Sequence, residues 1–394
     1  MEIEGSDNID SFSSIWAIEQ NSQVKIPGDP VVTAATKVVF LHQMQRALEP
    51  AIDPERVELI DILIRYGHNS DGIPALHYAI KMQDERAVEL LLKRGANPNS
   101  LSRQFNYLDG YPERAEPMLP LDFAAFSGNE KIIHLLLQAG ANVNFAKLGE
   151  ASHSGMKVEF FRTYSPLYFA AKNDQENAVR ILIENGASLT PPPSPLKPFP
   201  PNDPLYAAVN NNSVRAFRIL LEYISDLTPS TSGPLYLLHY AASRDSAEIV
   251  QLFLQRNVPV DVRNQTQETA LIRATGKSFK ILLAAGADPK AKATNGWDAF
   301  YTVCAGLDIE AARLLLERGV DINAPRGDKT PFQIACFKWL NSENKEAVKE
   351  FLNFLLENGA DINASVNGRT ALTIAKNFNQ HELVQWLVAR GAKE

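Results

Sequence analysis

Leu76-His77-Tyr78-Ala79, leading to Leu90-Leu91-Leu92-Lys93-Arg94-Gly95-Ala96-Asn97, is echoed by Leu121 to Phe126 leading to Leu135-Leu136-Leu137-Gln138-Ala139-Gly140-Ala141-Asn142. In both stretches the opening Leu stands 19 residues before the Gly. The same interval separates Leu167 from Gly186, Phe300 from Gly319 and Leu372 from Gly391. It also separates Leu238 from Asn257, where Asn supplies the left-handed helix cap that Gly provides elsewhere. Two copies depart. Leu271 to Gly286 is 15, about one helical turn short, and Phe332 to Gly359 is 27, an insertion of 8. Leu205 opens a further copy whose cap position falls at Ile224.

Within a copy the apolar residues fall in two short runs at helical spacing, as in Leu167-x-x-Ala170-Ala171 and Ala178-Val179-x-x-Leu182-Ile183. This pattern predicts a helix-turn-helix. Neither helix buries its apolar stripe alone, so copies must stack and share one core. A chain of 394 residues exceeds the size at which a single compact core stops growing, which an elongated array resolves. The expected fold is all-α apart from finger turns, with about nine helix pairs and the opening residues Leu76, Leu121, Leu167, Leu205, Leu238, Leu271, Phe300, Phe332 and Leu372 in one buried row. The short copy is expected to lack a turn between Thr275 and Phe279 and to be a weak seam.

The unit resembles the ankyrin repeat, whose signature starts the first helix with Thr-Pro-Leu-His and closes the second with Gly-Ala-Asx. Thr330-Pro331-Phe332, Ser165-Pro166-Leu167, Thr269-Ala270-Leu271 and Thr370-Ala371-Leu372 carry degenerate openings, and Leu238-His239 keeps the Leu-His of Leu76-His77. The resemblance implies a non-catalytic scaffold that binds a partner protein through its concave face and inter-repeat fingers. Divergent repeats of irregular length also resemble ankyrin proteins that bacteria deliver into host cells. An effector or substrate-recruiting adaptor is therefore an alternative, as is an enzyme with cryptic residues in the insertions.

The organisation expected is a flexible leader (1–30), a divergent capping repeat (31–72) and the array (73–394). Inserted fingers lie near 98–117 and 143–163, with a Pro-rich connection at 190–204. In that connection Pro192, Pro195 and Lys197 have the P-x-x-P-x-basic spacing that an SH3-type reader takes in polyproline II form; a stiff linker is the plainer reading.

Composition narrows the partners. A formal charge of −7 disfavours nucleic acid, whose binding needs clustered Lys and Arg. No apolar run is long enough for membrane insertion. Two cysteines suit a reducing compartment, so a cytoplasmic location is expected, in the host cell for an effector.

No catalytic, cofactor or metal motif is legible. Cys304 and Cys336 sit four residues after their opening Phe, a core position, and are expected to be buried thiols that react slowly. His77 and His239 follow the opening Leu, where a first-turn side chain bonds neighbouring backbone, and the other histidines lack ligand spacing.

The candidate partner-binding residues are apolar side chains in the N-terminal half. Phe105, Tyr107 and Tyr111 lie in the first long finger and Phe160 and Phe161 in the second, and aromatics of this kind anchor interfaces. Ile73, Met118 and Tyr164 stand three residues before an opening Leu, a position expected to be exposed at the finger base. Phe126 replaces the lysines of neighbouring copies, Lys81 and Lys172, and Met82 adjoins Lys81. These residues would form an exposed apolar patch. The alternative is that the fingers fold back and cover it.

Overall fold

The computed structural model describes residues 58, 61–62, 74–100, 118–144, 147–153, 156–161, 164–190, 203–224 and 234–393. Of the leader and capping repeat only Glu58, Asp61 and Ile62 fall within this set, and Pro192, Pro195 and Lys197 lie outside it. The chain forms two compact units, the first running to Pro192 and the second taking in everything from Leu205 onward.

In the N-terminal unit three helix pairs follow one another: α1 (Ala75–Lys81) and α2 (Glu85–Lys93), α3 (Pro120–Ser127) and α4 (Glu130–Gln138), α5 (Pro166–Lys172) and α6 (Glu176–Glu184). Pro120 and Pro166 open their helices where a missing N–H leaves nothing unsatisfied. Asp84 and Asn129 cap second helices, accepting from Ala87 N and Ile132 N at 3.0 Å each. Gly95, Gly140 and Gly186 end them at φ near +90°, which turns the following amide back onto the last helical turn, as in Ala96 N to Leu91 O at 3.0 Å.

First helices pack against first helices, and second against second. Ala79, Ile80, Ala124, Ala125, Ala170 and Ala171 have no exposed surface. The small side chains of the alanines let the helix axes approach closely, and Leu76, Leu121 and Leu167 fill the row beside them. Between the second and third pairs the chain adds a two-stranded antiparallel hairpin, β1 (Lys147–His153) and β2 (Met156–Phe161), in which Glu150 faces Glu159. The helical expectation therefore holds, with this hairpin as its one strand pair among the described residues.

The C-terminal unit holds six helix pairs among the described residues: α7 (Pro204–Asn210) and α8 (Val214–Tyr223), α9 (Pro234–Ser243) and α10 (Ala247–Gln255), α11 (Ala270–Arg273) and α12 (Gly276–Ala284), α13 (Ala299–Gly306) and α14 (Ile309–Glu317), α15 (Pro331–Asn341) and α16 (Lys345–Glu357), α17 (Ala371–Asn377) and α18 (His381–Val388). Leu205, Leu238, Leu271, Phe300, Phe332 and Leu372 are all buried. The 8 extra residues of the fifth pair lengthen both of its helices.

The short copy differs from expectation. Its second helix, α12, keeps nine residues and buries Phe279, Leu282 and Leu283, while the first helix, α11, is reduced to four. The second helix carries the larger apolar stripe, so the deletion falls where less burial is lost. The preceding repeat repairs the junction. Asp245 accepts from Ser278 N at 2.7 Å in place of a cap from α12's own segment, and Thr275 N donates to Ala242 O at 3.3 Å. Gly276 is required here, because a Cβ would lie 2.2 Å from Asp245 Oδ2 and the residue sits at φ +53°.

A buried ion pair ties two other repeats. Arg326 donates from Nε to both carboxylate oxygens of Asp298, at 3.2 and 3.1 Å, and from a terminal nitrogen to Ala324 O. Asp298 also caps α13 by accepting from Tyr301 N, and the guanidinium lies 5.0 Å from the Phe300 ring centroid.

Four asparagines set four residues beyond the closing Gly hold each repeat to the next. The Asn99 amide donates to Gly140 O and its oxygen accepts from Asn142 N; Asn144 does the same with Gly186 O and Ser188 N. Asn323 serves Gly359 O and Asp361 N, and Asn363 serves Gly391 O and Lys393 N. Where the equivalent residue is Asp261, only the accepting half survives, to Asp288 N.

Candidate partner-binding surface

Of the ten residues expected to contact a partner, Ile73, Phe105, Tyr107 and Tyr111 lie outside the described residues. Phe160 and Phe161 belong to β2, paired in register with Gly149 and Lys147. Met82, Phe126 and Tyr164 stand on or beside successive first helices. Met82 follows α1 and is 55% exposed, the most open large apolar side chain among the described residues. Phe126 is half-buried on α3. Tyr164 is half-buried just before α5, its ring 4.5 Å from Tyr168 and 5.9 Å from Phe169.

Met118 corrects the expectation. It is 4% exposed rather than open at the finger base, and its carbonyl accepts from His77 Nε2 at 3.2 Å. That bond draws the segment before α3 inward against α1. His77 itself is fully buried, edge-on to Phe123 at 5.9 Å, and burial pushes its pKa down to about 4. It is thus a neutral structural link across repeats. His239 repeats the link with Glu268 O at 2.9 Å, and Gln333 performs it with Ala364 O and Arg369 O.

The fingers and first helices of the C-terminal unit carry further aromatics. Trp297, 36% exposed, stacks on Tyr301 at 3.9 Å. Burial, and then the Asp328 carboxylate, raise the Tyr301 phenol pKa. Asp328 in turn bonds Lys329 Nζ at 2.6 Å, which lies 4.9 Å from the Phe337 ring, itself 5.8 Å from the half-exposed Phe378. Trp297 and Lys329 stand three residues before their opening Phe, as Tyr164 does before Leu167, while Phe337 and Phe378 take the repeat positions of Phe126 and Met82.

Both cysteines are fully buried, and burial raises each thiol well above its ordinary range, away from the reactive thiolate. Among the described residues no group of His, Cys, Asp and Glu is arranged to hold a metal, and no helix is long and apolar enough to cross a membrane.

Helix pairs repeated at near-constant interval, linked by buried backbone-bonding side chains at their openings and bridging asparagines at their ends, define a helical-repeat protein. Residues 55–147, 205–293 and 276–365 match the family described as ankyrin repeats (3 copies), and residues 367–393 match the single ankyrin repeat. These matches cover more than half of the chain, which belongs to the ankyrin-repeat family. Such repeats generally mediate protein–protein interaction and are typically non-catalytic modules.

Among curated proteins, the E3 ubiquitin-protein ligase KEG of Arabidopsis thaliana is 27% identical over 307 residues, which are 70% of this chain and 16% of that protein. The putative ankyrin repeat protein FPV014 of Fowlpox virus (strain NVSL) is 24% identical over 136 residues, 33% of this chain and 28% of that protein. The chain thus spans under a third of either relative. The human ASB11 ankyrin repeat domain aligns over 70% of this chain and 100% of its own, with a TM-score of 0.37 and 20% identity.

Proposed function

We propose that this chain is a non-catalytic scaffold that binds a partner protein on the first-helix face of its N-terminal unit, around Met82, Phe126 and Tyr164. The observation that carries the reading is the exposure of Met82 beside two half-buried aromatics on consecutive repeats. An apolar side chain left more than half open costs solvation that a partner recovers, and aromatics anchor such contacts. Cytoplasmic action is the location this reading assumes.

A narrower reading, recruitment of a client to a ubiquitin ligase, is supported by the 27% identity with the KEG ligase. It makes the chain an adaptor whose catalysis lies in another protein.

The test is affinity capture from native-cell lysate with the intact chain and with Phe126→Glu/Tyr164→Ala, followed by mass spectrometry and a melting curve for each. A partner kept by the wild type and lost by a variant of unchanged Tm is the expected result. Equal capture, or loss together with unfolding, removes the surface from consideration. A ligase among the captured proteins selects the adaptor reading.

A further inference from the structure

Asn-Gly occurs four times in the chain, at Asn185-Gly186, Asn295-Gly296, Asn358-Gly359 and Asn367-Gly368. A glycine after asparagine leaves its backbone nitrogen unshielded by any Cβ, and that nitrogen can attack the asparagine's own side-chain carbonyl carbon. What holds the two groups decides whether it does. At two helix ends both are held: Asn185 Nδ2 donates to Ile181 O at 2.8 Å and Gly186 N to Ile183 O at 2.9 Å. Asn358 Nδ2 and Gly359 N donate likewise, to Phe354 O at 2.8 Å and Leu356 O at 3.1 Å. In the finger before α13, Asn295 Oδ1 accepts from Trp297 N and Gly296 N donates to Ala293 O, each at 3.0 Å.

Asn367 and Gly368 are held in neither way. They are the central pair of the turn that sets Val366 against Arg369, at φ +52° and +70°, and both are exposed. Among the described residues the Asn367 side chain and the Gly368 nitrogen have no hydrogen-bond partner, and no neighbouring atom lies within 4 Å of where a Cβ on Gly368 would stand. Two backbone bonds close the turn, Val366 N to Arg369 O at 3.2 Å and Arg369 N to Val366 O at 3.1 Å. The Arg369 carbonyl also accepts from Gln333 Nε2 at 2.7 Å, one of the two bonds by which Gln333 ties the last repeat to α15.

We propose that Asn367 is a site of deamidation and that the isoaspartate formed there loosens the last repeat. When the turn opens, Gly368 N gives its proton to solvent base and adds to Asn367 Cγ; the Cγ–Nδ2 bond breaks, ammonia leaves, and a cyclic succinimide remains. Water then opens the ring. Cleavage of the bond from Cγ to nitrogen gives aspartate, whereas cleavage at the backbone carbonyl carbon gives isoaspartate, whose main chain runs through the side-chain methylene. The sum is one water taken up and one ammonia released, with nothing oxidised or reduced. A two-residue turn fits its flanks only at its own length, so the added methylene separates Val366 from Arg369 and draws the Arg369 carbonyl away from Gln333.

The intact chain is held at physiological temperature and neutral pH, and peptide mapping by mass spectrometry follows all four sites over time, with isoaspartate scored by an isoaspartyl methyltransferase. Asn367 should convert roughly tenfold or more faster than each other site, because those must first break the hydrogen bonds on the reacting groups themselves. In urea the four rates should converge. Equal or slower conversion at Asn367 in the native chain overturns the site, as does a spread of rates that urea leaves unchanged. In chains enriched for isoaspartate, amide exchange across α17 should be roughly fivefold or more faster than in fresh protein, the effect of losing about one hydrogen bond. Freshly prepared Asn367→Asp, which carries the charge without lengthening the main chain, should exchange as the wild type does. Unchanged exchange in the isoaspartate form, or equal acceleration by Asn367→Asp, overturns the loosening.

Discussion

Replacing His77 with Gln should make the packing of α1 against α3 insensitive to acid. His77 is buried with its pKa held near 4 against 6.5 in an exposed setting, so the folded state resists a proton that the unfolded state accepts. Above pH 6.5 the residue is neutral in both states and has no effect. As pH falls through the interval from 6.5 to 4, the unfolded state is progressively favoured, at up to about 1.4 kcal/mol per pH unit. At pH 5 the loss is about 2 kcal/mol, a factor of about 30 in the opening equilibrium. Glutamine is the replacement the chain already uses, since Gln333 at the same repeat position donates to Ala364 O at 3.2 Å and to Arg369 O at 2.7 Å. Its amide should hold the Met118 carbonyl at every pH. Hydrogen exchange by mass spectrometry, on peptides covering α1 and α3 at pH 7 and pH 5, measures the difference. Comparing wild type with variant at each pH cancels the intrinsic exchange rate and the shared carboxylates. The wild type should lose about 30-fold more protection than the variant between the two conditions. A ratio that does not change with pH refutes the buried, neutral histidine.

Arg326→Met should cost about 3–5 kcal/mol, because it leaves the Asp298 carboxylate buried without its countercharge; adding Asp298→Asn should recover most of the loss in urea unfolding. A single-variant cost under about 1 kcal/mol would contradict the pairing. Asn144→Ala should cost about 1–2 kcal/mol by removing the bonds to Gly186 O and Ser188 N, read as faster exchange at residues 186–188 with no change beyond residue 234. Cys304 and Cys336 should resist an exposed-thiol reagent until the chain unfolds, and rapid native-state labelling of either would contradict their burial.

The helix pairs were legible because the opening Leu and closing Gly each answer a single physical demand, one to fill the inter-repeat row and the other to adopt a left-handed turn. The buried thiols were legible for the same reason, since Cys304 and Cys336 take the place of alanines in the core. Met118 was misplaced because its burial depends on a bond from a histidine 41 residues away, which no local pattern encodes. The site of the deletion near Leu271 was misjudged because Asp245, which repairs it, belongs to the preceding repeat. The bridging asparagines were visible in Asn97-Pro98-Asn99, Asn142-Val143-Asn144 and the two Asp-Ile-Asn stretches, but the motif had been closed two residues too early. Trp297, Phe337 and Phe378 stand at the offsets of Tyr164, Phe126 and Met82, so their places were legible, whereas the stacking of Trp297 on Tyr301 and the contact of Phe337 with Phe378 needed coordinates. The fingers named as candidate contacts fall largely outside the described residues, so the site rests on Met82, Phe126 and Tyr164.

The Asp245–Gly276 junction sets a rule for recombination of the array. An asparagine bridge contributes one side chain and takes from the next repeat only backbone groups, which any sequence supplies. A repeat tied only in this way can be exchanged as a separate cassette; the Asn323 junction is not so tied, because the Asp298–Arg326 pair crosses it as well. The repeat built on α11 and α12 cannot be exchanged alone, because its second helix starts on a carboxylate from the repeat before it, and that repeat's Asp245 needs a neighbour with glycine at position 276. The two repeats therefore form one heritable module of four helices, and a crossover between them yields either an uncapped helix or a side chain driven into an aspartate.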